Sequence, residues 1–227
     1  MPIDRYLAVT AAEFPGYCSS QARIGWMACH FSPSGTGLTN LPPPLPPGSM
    51  LILDDSTPVS GHAPRQVAQQ LSSIAKDMAC SCILLDMERP GVEETADIVR
   101  AICQLAPCPV GVSAQYCADN DCAVFLCPPL HIPLDAFLSL WRAREIWLET
   151  ATEDLSFCIT AQGCTHTACR FSGPFPHQTP GAFSRYRIDI QENAIYFSFR
   201  RSLADLEAMM QQATGISRFV GLYQQFS

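Results

Sequence analysis

The chain has 227 residues, 48% of them hydrophobic and only 15% charged, with a formal net charge of −7. That composition excludes a disordered polyelectrolyte, and scattered basic residues under a negative net charge leave no phosphate-backbone partner, so no nucleic acid is expected. The length fits a single domain over residues 1–227, and a compact α/β barrel is feasible within it.

The opening stretch MPIDRYLAVTAAEFPGY has neither the basic segment nor the apolar run of a signal peptide, and no run is long enough to span a bilayer. The expectation is a cytoplasmic chain with no membrane partner. Its twelve cysteines are then expected to stay reduced. Cys29, Cys82, Cys122 and Cys158 lie in apolar runs, where cysteine acts as a small hydrophobe. Cys80 and Cys82 are two apart with no second close pair, so neither a metal nor another cofactor is expected.

RYLAVTA (5–11) and IGWMACHF (24–31) are the first candidate strands. SGTGLTN, after Phe31, matches a dinucleotide fingerprint only loosely and no helix follows it. LPPPLPPG (41–48) reads as a stiff connector between strands, with a polyproline ligand as the alternative. MLILDD (50–55) is apolar almost throughout, as a strand covered on both faces must be. Pro64 can open a helix in which Val67, Leu71, Ile74 and Met78 recur at helical spacing.

The strand ILLDM follows, with Cys82 to Leu85 buried, and then a helix in VEETADIVRAICQL. Its acids suit a helix start, and Val92, Ala96, Val99 and Ile102 form one face. PVGVS (109–113), CAVFL (122–126) and EIWLE (145–149) are three more strands, with a short amphipathic helix in PLDAFLSLW before the last. RFVGLY, near residue 220, supplies an eighth.

Apolar strands alternating with helices predict parallel pairing with the helices outside. The fold class is therefore α/β, a (β/α)8 TIM-barrel-like domain, small and irregular. Residues 151–200 break the rhythm. LSFCITAQGCTHTACRF and RYRIDIQENAIYFSFRR each read as a β-hairpin, turning at Gln162-Gly163 and at QENA. They form an antiparallel β-hairpin insertion, separated by the proline- and glycine-rich loop SGPFPHQTPGAFS. A helix capped by Ser202 and ended by Gly215 comes next.

Barrels of this kind build function at the carboxyl ends of their strands. Those ends here carry His30, Asp54, Asp55, Asp86, Glu88, Ser113, Tyr116, Glu149 and Tyr223, while strand middles are apolar. Asp86 and Glu88, two apart, should share a face. Neighbouring carboxylates repel as anions, so one of a pair is held protonated and can serve as a general acid. The competing role for both is a structural ion pair with Arg89 or a helix cap. Asp54 and Asp55 face opposite ways, so at most one of the two enters the cavity. His30 is a ligand-binding or proton-transferring candidate. No G-x-S-x-G is present, and the adjacent Cys29-His30 pair does not orient a thiolate toward an imidazole.

The strand end LLDMERP resembles the D-x-E strand end of chitinase-like (family 18) glycoside hydrolase barrels. The resemblance implies Glu88 as proton donor and Asp86 as the aspartate that orients the substrate. It implies a carbohydrate or other small-molecule ligand, and the reading of the strand ends places His30, Asp54, Asp55, Tyr116, Glu149 and Tyr223 around it. Ser81 and Leu84 stand where the family's D-G-x-D-x-D-x-E signature has earlier aspartates. The alternative is a non-catalytic barrel that binds a small molecule or a protein.

Overall fold

The computed structural model describes residues 4–9, 23–87, 89, 92–126, 141, 144–149, 153–160, 163–167, 186–191, 194–200 and 216–222. In chain order its elements are β1 Asp4–Val9, β2 Arg23–Phe31, β3 Leu38–Thr39, β4 Met50–Asp54, α1 Pro64–Asp77 and β5 Cys82–Asp86. Next come α2 Glu93–Leu105, β6 Val110–Ser113, a 3₁₀ turn Ala114–Tyr116, β7 Ala123–Leu126 and β8 Ile146–Glu149. They end with β9 Glu153–Thr160, β10 Gly163–Thr167, β11 Tyr186–Gln191, β12 Ala194–Arg200 and β13 Ile216–Leu222. The chain divides into two units, Met1–Leu126 with Trp141–Leu148 and Gly215–Ser227, and Cys127–Leu140 with Glu149–Thr214.

The first unit is mixed α/β, built on a curled parallel sheet. Its order is β1-β13-β8-β7-β6-β5-β4-β2-β3, and β1 also pairs with β2. β1 is parallel to both β13 and β2, and β2, β4, β5, β6, β7 and β8 continue in parallel. β3 is the exception, antiparallel on β2. The strands ILLDM and PVGVS pair in parallel, as their apolar character requires.

Alternation along each strand sorts the core. Tyr6, Ala8, Met50, Ile52, Cys82 and Leu84 cluster with Phe125, Trp147 and Val220 on one face. Leu51, Leu53, Ile83, Leu85, Val112 and Val124 are buried on the other. Burial on both faces explains why these strands lack polar residues. Each such aliphatic side chain contributes about 1.5–3 kcal/mol on leaving water.

Pro64 stands in the first turn of α1, whose buried residues are Val67, Ala68, Leu71 and Ala75. Glu93 and Glu94 occupy the first turn of α2, which buries Thr95, Ile98, Val99 and Ile102. The buried stripes are rotated from those expected: Ile74, Met78, Val92 and Ala96 are half-buried. Small Ala68, Ala75 and Thr95 are buried in their place. Among the described residues, α-helices connect only β4 to β5 and β5 to β6. The β6–β7 connection uses the 3₁₀ turn.

The proline stretch packs as a connector: Leu45 is buried, and the following Gly48, at φ +84°, donates its amide to Ala79. Leu41 is exposed.

The second unit contains a four-stranded antiparallel sheet in the order β10-β9-β12-β11. Thr160 pairs with Gly163 and Gln191 with Ala194 where the two hairpins turn, close to the turns read from sequence. β12 joins them through β9. The helices expected in PLDAFLSLW and after Ser202, and the loop between the hairpins, lie outside the described residues apart from Trp141. No helix among the described residues is long and apolar enough to cross a membrane.

Candidate functional site

Three adjacent parallel strands end together at the carboxyl edge of the sheet. His30 is the Cα partner of Asp54, and Asp54 of Asp86. Asp54 and Asp86 fall in the alternation of Met50, Ile52, Cys82 and Leu84, so an apolar column ends in two acids. Asp54 and Asp86 are both half-buried. His30 places Nδ1 3.0 Å from Asp54 Oδ1. The same carboxylate oxygen accepts the Ser56 amide at 2.9 Å and the Ser56 hydroxyl at 2.5 Å. A His30 Nδ1 held by a carboxylate leaves Nε2 as the ring atom for a proton exchange.

Asp55 lies on the opposite face, only 2% exposed, and accepts the Arg89 amide on Oδ2 at 3.0 Å. It fixes the segment after β5. Three further groups hold the same segment. Buried Ser113 accepts the Met87 amide at 2.9 Å and donates to Leu85 O at 3.2 Å. Gln115 Nε2 donates to Met87 O, and Tyr116 donates its hydroxyl to Arg89 O while accepting the Val92 amide at 3.4 Å. Both sequence neighbours of Glu88 are thus anchored through their backbones. Tyr116 is buried, so here it is a support for this segment. Arg89 donates Nη2 to Ser56 O at 2.9 Å, linking the ends of β4 and β5.

Glu88 and Tyr223 lie outside the described residues, and Glu149 ends β8 with its side chain outside them. The structure therefore brings together His30, Asp54 and Asp86, and sets Asp55 and Tyr116 behind them. Among the described residues no group of three or more His, Cys, Asp and Glu side chains could hold a metal. Buried His62 serves structure: its ring nitrogens face Val59 O at 2.9 Å and Gly37 O at 3.1 Å. The thiol of buried Cys29 is pushed up to about 12, by burial first and then by the Asp54 charge, which makes it a core side chain.

The amino end of the sheet holds features that the sequence reading missed. Glu145, just before β8, accepts Trp147 Nε1 at 2.9 Å, Arg218 Nη1 at 2.6 Å and the Ser217 hydroxyl. Burial raises the Glu145 carboxyl, but those three donors outweigh it and hold it below its ordinary value. The Arg218 guanidinium lies 4.5 Å over the Trp147 ring, a cation–π contact on a fully buried indole. The opposing glycine is required: a Cβ on Gly111 would sit 2.0 Å from Trp147 Cε3. Nearby, a cavity of about 530 Å³ opens between Pro109, Val110, Asn120, Cys122, Arg144 and Glu145.

No protein-family model, curated protein or solved structure matches the chain. Fold and geometry define its class: a mixed α/β protein whose curled parallel sheet ends in a histidine and two aspartates.

Proposed function

We propose that this protein is a small hydrolase of the (β/α)8-like kind, acting on a glycosidic bond by carboxylate acid–base chemistry in the cytoplasm. One observation carries the reading: His30, Asp54 and Asp86 stand level on three neighbouring parallel strands, at the edge where such sheets place their chemistry. The pairing of β1 with both β13 and β2 supports the barrel. In this reading Glu88 donates the proton to the leaving oxygen and Asp86 orients the substrate. His30, turned by Asp54, exchanges a proton with water, and Glu149 and Tyr223 contribute to binding. Met87 and Arg89, on either side of Glu88 in sequence, are held through their backbones.

A second reading, a ligand-binding protein without catalysis, draws support from Asp54. Its Oδ1 already accepts three donors, as a turn-organising aspartate does. A panel of chromogenic glycosides, run on the parent chain and on Glu88→Gln, decides between them. Loss of a general acid typically lowers the rate by about 10²–10⁴. Hydrolysis by the parent that falls in this range, with an unchanged melting temperature, supports the enzyme. Silence across the panel favours the binding protein.

A further inference from the structure

The cavity at the amino end of the sheet is lined by a cation that no described carboxylate meets. Arg144 donates Nη1 to Asn120 O at 3.0 Å and Cys122 O at 3.3 Å, and Nη2 to Ala118 O at 2.9 Å. Three backbone carbonyls therefore fix the guanidinium. It carries five N–H donors, so two are left, and among the described residues neither finds an acceptor. The ion pairs of Arg23, Arg100 and Arg218 use Asp4, Asp97 and Glu145, and none reaches Arg144.

Acceptors line the same cavity. Asn120 spends Nδ2 on Tyr116 O at 2.9 Å, and its Oδ1 meets no donor among the described residues. Asp121 is exposed, with no hydrogen-bond donor or ion-pair partner among them. Glu145 differs, since Arg218, Ser217 and Trp147 already engage it. Buried Val110 and Ala123 supply an apolar wall. The volume, about 530 Å³, falls within the span of about 300–1,000 Å³ usual for small-molecule sites.

We propose that this cavity binds a small zwitterion, an α-amino acid with a short apolar side chain. Its carboxylate bonds to the two remaining Arg144 donors, its ammonium to Asp121 and Asn120 Oδ1, and its side chain lies on Val110 and Ala123. Bonds between charged partners are stronger than neutral ones, and a guanidinium already held in place loses little freedom on binding. The lining also selects by repulsion: a phosphate or dicarboxylate would bring surplus negative charge beside Asp121 and Glu145, and a bare amine would face Arg144. The site shares no residue with the strand-end carboxylates and stands apart from the hydrolase reading.

Isothermal titration calorimetry of the full chain with L-alanine, L-valine and L-leucine tests this. At least one should bind. The tightest should lose about tenfold or more in affinity when its amine is removed (isovalerate for valine), and again when its carboxylate is removed (isobutylamine). Asp121→Asn should weaken the amino acid by a similar factor without moving the melting temperature, because the exposed side chain holds nothing in the described fold. Arg144→Lys keeps the charge, loses the fixed fork and should weaken binding as much. If releasing the three carbonyls unfolds that variant, as circular dichroism would show, Asp121→Asn decides. The proposal falls if none of the three amino acids binds, if the matching acid or amine binds as tightly, or if Asp121→Asn leaves the affinity unchanged.

Discussion

Replacing Gly111 with alanine tests how the inner face of the sheet is packed. The added Cβ would lie 2.0, 2.4 and 2.7 Å from the Trp147 atoms Cε3, Cζ3 and Cδ2. Ordinary carbon contact begins near about 3.5 Å, so the indole must withdraw by roughly 1.5 Å. It has little room. The ring is fully buried, tied through Nε1 to Glu145 and covered by Arg218. Overpacking of this kind costs about 1–3 kcal/mol, and the two ties place Gly111→Ala at or above the upper end. For a chain of this length each kcal/mol lowers the melting temperature by about 2–4 °C, so a drop of roughly 6–12 °C is expected by differential scanning calorimetry. Trp147→Leu should lower stability alone yet remove most of the alanine's penalty in the double variant, as residues in contact do. A Gly111→Ala melting temperature within a degree of the parent would refute this packing account.

Glu145→Gln removes a carboxylate held below its ordinary value near 4.5. A depressed group contributes stability above its unfolded value and loses it as pH falls through the folded one. The variant should therefore be less stable than the parent at neutral pH, with the difference shrinking in acid below 4.5, as read by urea unfolding across pH. Nearly half of the side chain is exposed, so the neutral-pH loss should stay modest. Ser113→Ala strips a buried hydroxyl from the Met87 amide and should cost about 1–3 kcal/mol, measured by denaturant midpoint. Tyr116→Phe frees Arg89 O and Val92 N, and amide exchange at Val92 should accelerate while α2 stays protected.

The strands were readable because burial on both faces leaves an unbroken apolar run. MLILD, CILLD, VGVS and AVFL all appear close to where such runs place them. Helix faces were less exact, since Ala68, Ala75 and Thr95 are too small or too polar to register as core, yet they are what the packing buries. At the site, alternation correctly separated Asp54 from Asp55, but it carries no information about what the outward acid meets. The Arg89 amide that Asp55 holds lies in another crossover. Tyr116 shows the same limit: a tyrosine after a strand gives no sign of whether its hydroxyl faces a ligand or a backbone. The Glu145–Arg218 pair was invisible because Glu145 just precedes β8 and Arg218 lies on β13, far apart in sequence. Cys122 looked like strand core, whereas it precedes β7 and lines a cavity.

The place of β13 between β1 and β8 has a consequence for how the chain acquires its structure. The register joins Asp4 to Arg218, so one of the earliest strands waits for the latest before its second edge is covered. Such distant pairings raise contact order and slow folding. During synthesis β1 has β2 on one side and an open ladder on the other until residues 216–222 have emerged. A nascent chain halted before that point would expose the edges of both β1 and β8, templates for pairing with another molecule. Dependence on chaperones should therefore be greatest in the last stage of translation.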